Sequence, residues 1–287
     1  MNHWTYVLAS DGDMMEGVTS EAASLAGTLR LRRLIVLYDA NRITLSATTN
    51  LTFSEDVGTR FESYGWHVQQ IDGHDRAAVD AALAAARAVE DRPSLVVART
   101  HIGYGSPHKQ DTFQAHGEPL GVEEVRLTKR ALGWPEDPSF HVPEEALREF
   151  RSVERGADHE AEWRRHADAY RVGHPAMADQ FDRAIAGRLP DDWEAHLPNF
   201  VDHTEIATRD AGDHVINALA SVVTNLVGGS ADLDPSTRTT LKGFGHFQSL
   251  LVAQPGDIPT QGTAGGVWGY AAETSTSACA SMRWLPS

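Results

Sequence analysis

Asp11 and Asn41 are the residues whose placement allows chemistry. Asp11 follows the apolar run "WTYVLAS" and is followed at once by Gly12, while Asn41 closes the next apolar run, "LIVLYDA". A carboxylate, an amide oxygen and a nearby backbone carbonyl make an oxygen-only donor set. Such a set suits a hard divalent ion, Mg²⁺ or Ca²⁺, and not zinc. It is too sparse to complete a Mg²⁺ shell, which normally draws its other ligands from water and substrate phosphates. Gly12 lets the backbone approach a phosphate, and a helix starting beside it offers free N–H groups. The pattern reads as a metal clamp for a diphosphate. An isolated Asp-Gly pair is more often a surface turn; it is the placement at a strand end, with Asn41 at the next, that favours the clamp.

These side chains need a rigid support. "WTYVLAS", "LIVLYDA", "WHVQQI" and "SLVVART" are short, apolar and rich in β-branched residues, which predicts buried strands. "SEAASLAGTLRL" places Ala23, Leu25, Ala26 and Leu29 at helical spacing, and "DRAAVDAALAAARAVE" predicts a helix capped by Asp75. Strands alternating with helices predict an α/β fold: a parallel sheet with helices on both faces. In such sheets ligands bind outside the carboxyl ends of the strands, so adjacent strands would bring Asp11 and Asn41 together.

From Pro143 to about Pro190 the strand signals stop, and "EEALREF" and "EAEWRRHADAY" read as solvated helices of a connector. Then "DAGDHVINALASVV" predicts a helix and "NLVGGSADL" a strand running into a turn, the start of a second α/β domain. The expected division is 1–135, 136–198 and 199–287. No internal repeat is present.

Composition bounds the partners. The 287 residues carry 40 Asp and Glu against 25 Lys and Arg, a formal net charge of −15. That balance argues against nucleic acid as the main partner, because phosphate backbones need basic surface. The single cysteine, Cys279, rules out an internal disulfide framework and fits a reducing cytoplasm. No apolar run is long enough to span a membrane, and the first residues do not read as a signal peptide.

The stretch "SDGDMMEGVTSEAASLAGTLRLRRLIVLYDANRIT" resembles the thiamine diphosphate motif of transketolases. "RFESYGWHVQQIDGHD", "THIGYGSPHK", "AHGEPLG", "IATRDAG" and "GGSADLDPS" are also similar to transketolase segments, in family order. The resemblance runs to about Tyr270. It implies a thiamine-diphosphate-binding fold and transfer of a two-carbon ketol unit from a ketose phosphate to an aldose phosphate. It implies that Asp11, the Asn41 side chain and the Ile43 carbonyl bind the divalent metal, and that Gly12 lies against the cofactor diphosphate. Glu16 is expected in the acidic network joining two subunits of a homodimer. His116 is expected to face the cofactor ring and the sugar, Arg209 and Ser236 to bind the sugar phosphate, and Asp232 to line the cofactor pocket.

Two departures stand out. Ser10 replaces the family's usual glycine before the aspartate, which is tolerable if the backbone stays out of the left-handed region. Phe113 stands where many relatives have a histidine, which leaves substrate preference open. Dihydroxyacetone synthases share much of the pattern, so the acceptor is open too.

The resemblance also implies missing parts. Relatives begin well before the equivalent of Met1, and after "GYA" they continue with a segment close to GRNIHFGVREHAM. Here the chain reads "AETSTSACASMRWLPS". Synonymous codons for AGRNIHFGVREHAM, read after deletion of one nucleotide, reproduce Ala271 to Arg283. Residues 272–287 are therefore expected to be out of frame. The alternative to an active transketolase is a catalytically inactive fragment, truncated or frameshifted, or one half of a split enzyme.

Overall fold

The computed structural model describes residues 3–201, 205–230, 233–249 and the backbone of 274–275. The chain forms two compact units, Asn2–Ala146 and Leu147–Ser287, with Met1 grouped with the second.

The first unit is built on a four-stranded sheet: β1 (Thr5–Ser10), β2 (Leu34–Ala40), β3 (His67–Asp72) and β4 (Ser94–Arg99), in the order β1-β2-β4-β3. Every pairing is parallel. Ser10 lies opposite Asp39 and Asp39 opposite Ala98, so these strands end in line. The four expected strands are thus found. β4 is the buried one: Leu95 and Val96, whose side chains point to opposite faces, are both 0% exposed. The core gathers Met14, Ala23, Ala26, Val36, Tyr38, Val57, Phe61 and Trp66 around the sheet.

Between the strands lie α1 (Asp11–Met15), α2 (Gly17–Thr28), α3 (Val57–Ser63) and α4 (Arg76–Ala88). Asp75 caps α4 as the sequence predicts, accepting from the N–H groups of Ala77 and Ala78 at 2.9 and 3.2 Å. One helix differs from expectation. The predicted helix over Ser20–Leu31 begins earlier, at Gly17, and ends earlier, at Thr28. Its end is a Schellman turn: Leu31 N–H donates to the Ala26 carbonyl and Arg30 N–H to Gly27, with Arg30 at φ +53. Arginine fills a position that usually takes glycine, which is why no stop signal was visible. Beyond β4 follow α5 (Phe113–Gly117) and α6 (Val122–Ala131).

In the second unit α8 (Val153–Gly173), which follows α7 (Glu144–Phe150), has no buried residue, as its charged sequence predicts. Its surface is laced with ion pairs such as Arg164–Glu160. Next come α9 (Pro175–Ile185) and α10 (Thr208–Ala220), the latter matching the expected helix. The predicted strand in "NLVGGSADL" shrinks to β5 (Gly228–Gly229), paired in parallel with β6 (Thr274–Ser275), and α11 (Asp234–Thr237) lies between them in sequence. Two glycines carry no side chain to pack, so the strand signal there is weak. Among the described residues no helix is long and apolar enough to cross a membrane.

Candidate functional site

The ends of β1 and β2 meet where the sequence places the clamp. Ser10 has φ −118 and ψ 178, extended backbone that any residue adopts, so serine replaces the glycine without strain. Asp13 returns its carboxylate to the Ser10 N–H and Oγ at 2.7 and 2.9 Å, which closes the chain into the short turn α1. Asp11 is 3% exposed, and burial of a carboxylate demands partners. Both oxygens have one. Tyr38 donates its hydroxyl to Oδ1 at 2.7 Å, and the backbone N–H of Arg42 donates to Oδ2 at 2.8 Å.

Asn41 and Ile43 flank that N–H. Asn41 Oδ1 accepts from the Ile43 N–H at 2.9 Å, which fixes the amide oxygen in place. Arg42 between them has φ +65, a strained conformation for a side-chain-bearing residue, and it bends the chain sharply at this point. Among the described residues no hydrogen bond reaches the Ile43 carbonyl, so that oxygen remains available to a cation. The Asp11 carboxylate and the Asn41 amide oxygen are thus held by successive backbone N–H groups, those of Arg42 and Ile43, and oxygen donors of this kind suit a hard divalent ion. Among the described residues no group of three or more His, Cys, Asp or Glu is gathered to hold a metal. An ion here must draw further ligands from what it clamps.

Gly12 is exposed, and a Cβ added to it would meet nothing nearer than Ser10 Oγ at 4.0 Å. The protein itself therefore does not require glycine there; the open space in front of it fits close approach by a ligand. Glu16 is exposed and breaks the helix between α1 and α2, with φ −67 and ψ 132.

Electrostatics keep the clamp in one state. Burial, then the hydrogen bond to Asp11 and the charge of that carboxylate, push the Tyr38 phenol well above its ordinary range. Tyr38 therefore stays protonated and donates to Asp11 throughout the neutral range.

His116 is exposed near the end of α5. Its neighbour Gly117 lies against the loop that leaves the clamp: a Cβ there would come within 2.7 Å of Leu45 Cδ1. The fold so brings the histidine's helix to the Asn41–Leu45 segment. The loop before α5 is nailed down by Glu124 of α6, which accepts from Ser106 Oγ and from the His108 N–H and Nδ1, the last two at 2.9 Å. Those bonds, Ser106 first, hold the Glu124 carboxyl down at about 2. Phe113 is 47% exposed and adds no polar group.

In the second unit Arg209 and Ser236 are both exposed, on α10 and α11. An ion pair joins their elements, Arg238 Nε to Asp210 Oδ1 at 2.7 Å. Asp232 and most of residues 272–287 lie outside the described residues. Sequence reasoning missed Tyr38 and the Arg42 N–H as the partners of Asp11. The signal for Tyr38 was a polar tip inside a largely apolar strand.

Comparisons with known proteins give the family. A family model described as "Transketolase, thiamine diphosphate binding domain" matches residues 1–190. A transketolase from Geobacillus stearothermophilus is 50% identical over 250 residues, covering 86% of this chain and 37% of that protein. One from Nostoc sp. is 46% identical over 259 residues, covering 89% of this chain and 38% of the relative. Among solved structures, a Pichia stipitis transketolase complexed with sedoheptulose 7-phosphate aligns with a TM-score of 0.83 at 34% identity, over 96% of this chain and 39% of that one. A Campylobacter jejuni transketolase aligns with a TM-score of 0.76 at 35% identity, over 86% of this chain and 38% of its own. The chain thus spans well under half the length of the relatives it matches. By the match over residues 1–190 and these identities, the chain belongs to the transketolase family.

Proposed function

We propose that this chain carries the metal-and-diphosphate part of a thiamine diphosphate site that moves a two-carbon ketol unit from a ketose phosphate to an aldose phosphate. The observation that carries the reading is the buried Asp11 carboxylate, held by Tyr38 and the Arg42 N–H, next to the Asn41 amide oxygen that the Ile43 N–H holds in place. Asp11, Asn41 and Ile43 would hold Mg²⁺ or Ca²⁺, and Gly12 would lie against the diphosphate. Bound thiamine diphosphate supplies a nucleophilic carbon and an electron sink for cleaving and forming a C–C bond. His116 holds or moves a proton at the sugar hydroxyl or carbonyl oxygen. Arg209 would offer a planar, permanently charged fork to the sugar phosphate, and Ser236 would bind the same group. Asp232 lines the cofactor pocket. Glu16 belongs to the acidic network between the subunits of a homodimer. The division into 1–135, 136–198 and 199–287 and a cytoplasmic location form part of this reading.

A second reading is that the chain does not turn over by itself and works only with further polypeptide. The exposed apolar residues Tyr6, Val7 and Leu8 on β1 favour it. Calorimetric titration with thiamine diphosphate, with and without Mg²⁺, tests the clamp. Expected is binding that needs the metal and is lost in Asp11→Ala. Metal-independent binding, or binding that survives Asp11→Ala, rejects it. An assay of the same sample with ketose phosphate and aldose phosphate separates the readings: ketol transfer supports the first, and binding without transfer the second.

A further inference from the structure

We infer that Arg60 is a positioning residue for the clamp, its guanidinium fastening the single turn α1, which carries Asp11 and Gly12, to α2 and to the start of α3. This rests on the reading of Asp11 as a metal ligand. Arg60 belongs to "RFESYGW", a segment that no chemistry has so far used. Its side chain is 17% exposed. Nη2 donates to the Met14 carbonyl at 2.9 Å, and Nη1 to Ser20 Oγ at 3.1 Å. Nη1 also pairs with Glu55 at 2.6 Å. The guanidinium carbon lies 6.0 Å from the Phe53 ring and 5.8 Å from the Phe61 ring. One planar fork thus ties the α1–α2 corner, 46 and 40 residues earlier in the chain at Met14 and Ser20, to the entry of α3.

The turn needs such a tie. With five residues, α1 is too short to be stable by itself. Its last carbonyls have no partner inside the helix. The Asp13 carbonyl is taken by Thr19 Oγ1 at 2.6 Å and by the Glu16 N–H at 3.3 Å, and the Met14 carbonyl by Arg60. A cation at this end also complements the helix dipole. Met14 itself is 1% exposed and packs in the core that holds Phe61 and Trp66. Core packing and Arg60 therefore grip the far end of the turn, and Asp11 at its near end is aimed at Tyr38 and the Arg42 N–H. A lysine cannot bridge these acceptors, because it offers a point charge in place of a fork. The positive charge of Arg60 is also felt at Tyr38, where with Arg42 it opposes the upward push on the phenol.

The test is amide hydrogen exchange, read by mass spectrometry, on the full 287-residue chain. It compares wild type, Arg60→Lys, Arg60→Gln and, as a destabilised control remote from α1, Ala86→Gly in α4. In both Arg60 variants the segment Asp11–Gly17 should exchange about tenfold faster, the scale of losing one charge-assisted hydrogen bond. α4 and β4 should be unchanged. Ala86→Gly should loosen α4 and leave α1 alone. Uniformly faster exchange across the first unit, or none, overturns the inference by leaving Arg60 a general structural role or no role. A second arm titrates thiamine diphosphate with Mg²⁺. Affinity should fall about tenfold in Arg60→Lys and hold in Ala86→Gly. An Arg60→Lys chain that binds like wild type breaks the link to the clamp. If wild type does not bind, the clamp reading fails for this chain, and the exchange result still decides what Arg60 holds.

Discussion

β1 and β4 belong to one sheet and have equally apolar sequences, "TYVLAS" and "SLVVAR", yet they meet opposite surroundings. In β4, Leu95 and Val96 are both 0% exposed. In β1, Leu8 is 83% exposed, Tyr6 47% and Val7 39%. Both form strands because β-branched and aromatic residues suit a pleated backbone. What separates them is neighbours: β4 lies between β2 and β3, while among the described residues β1 pairs only with β2. Strand formation follows from local composition, and burial follows from what packs nearby. An edge with apolar faces is also a pairing surface for other chains.

The comparison is most sharply tested by two leucines. Leu95→Ala should destabilise the first unit by about 2–5 kcal/mol in urea unfolding, because it opens a cavity where both faces are covered. Leu8→Ala should change stability by less than about 0.5 kcal/mol. A loss above about 1 kcal/mol at Leu8 would show that β1 is covered in solution by a second copy, which dilution should reverse.

Next in size is a glycine on the packed side of the sheet. A Cβ on Gly27 of α2 would fall 1.9 Å from the Tyr64 carbonyl oxygen, which is backbone and cannot step aside. Gly27→Ala should therefore cost about 1–3 kcal/mol, although alanine is the better helix former. A neutral result in thermal unfolding would mean that α2 slides freely over the end of α3.

The third prediction concerns the loop that leaves β4. The Glu124 carboxyl, at about 2, lies below its ordinary value. A lowered carboxyl contributes stability that is complete above its unfolded value near 4.5 and is lost as pH falls toward 2. Wild type should thus exceed Glu124→Gln in urea midpoint at pH 7, with the gap closing between pH 4.5 and 2. A constant gap would place the acid-sensitive anchor of this loop elsewhere.

The last effect is a gain. Arg30 holds a left-handed conformation at the end of α2, and its ion pair with Asp91, at 3.8 Å, is exposed. Arg30→Gly should raise stability by about 0.5–1 kcal/mol, since glycine relieves the strain but is freer when unfolded. A loss would mean that Arg30 supports the entry to β2 through its side chain.

Much of this architecture was legible beforehand. The four parallel strands, the Asp75 cap and the exposed helix α8 follow from hydrophobic period, a capping residue and charge, all signals within a few neighbours. That Asp11 meets the segment around Asn41 was legible because the two residues each follow a strand of one parallel pair. The early start and stop of α2 were not, because Glu16 and Arg30 are residues that rarely mark a boundary. Neither was the brevity of β5.

The sequence by itself determined which segments become strands and helices, and that a carboxylate and an amide end two of the strands. The tertiary structure decided the rest. Tyr38 reaches Asp11 across 27 residues, the Arg42 N–H across 31, and Arg60 reaches the Met14 carbonyl across 46. Exposure of β1 and burial of β4 were settled in the same way, by strand order. Hydrophobic period and caps act over one or two turns of chain, whereas the partners of a buried charge are chosen only when distant segments pack and exclude water.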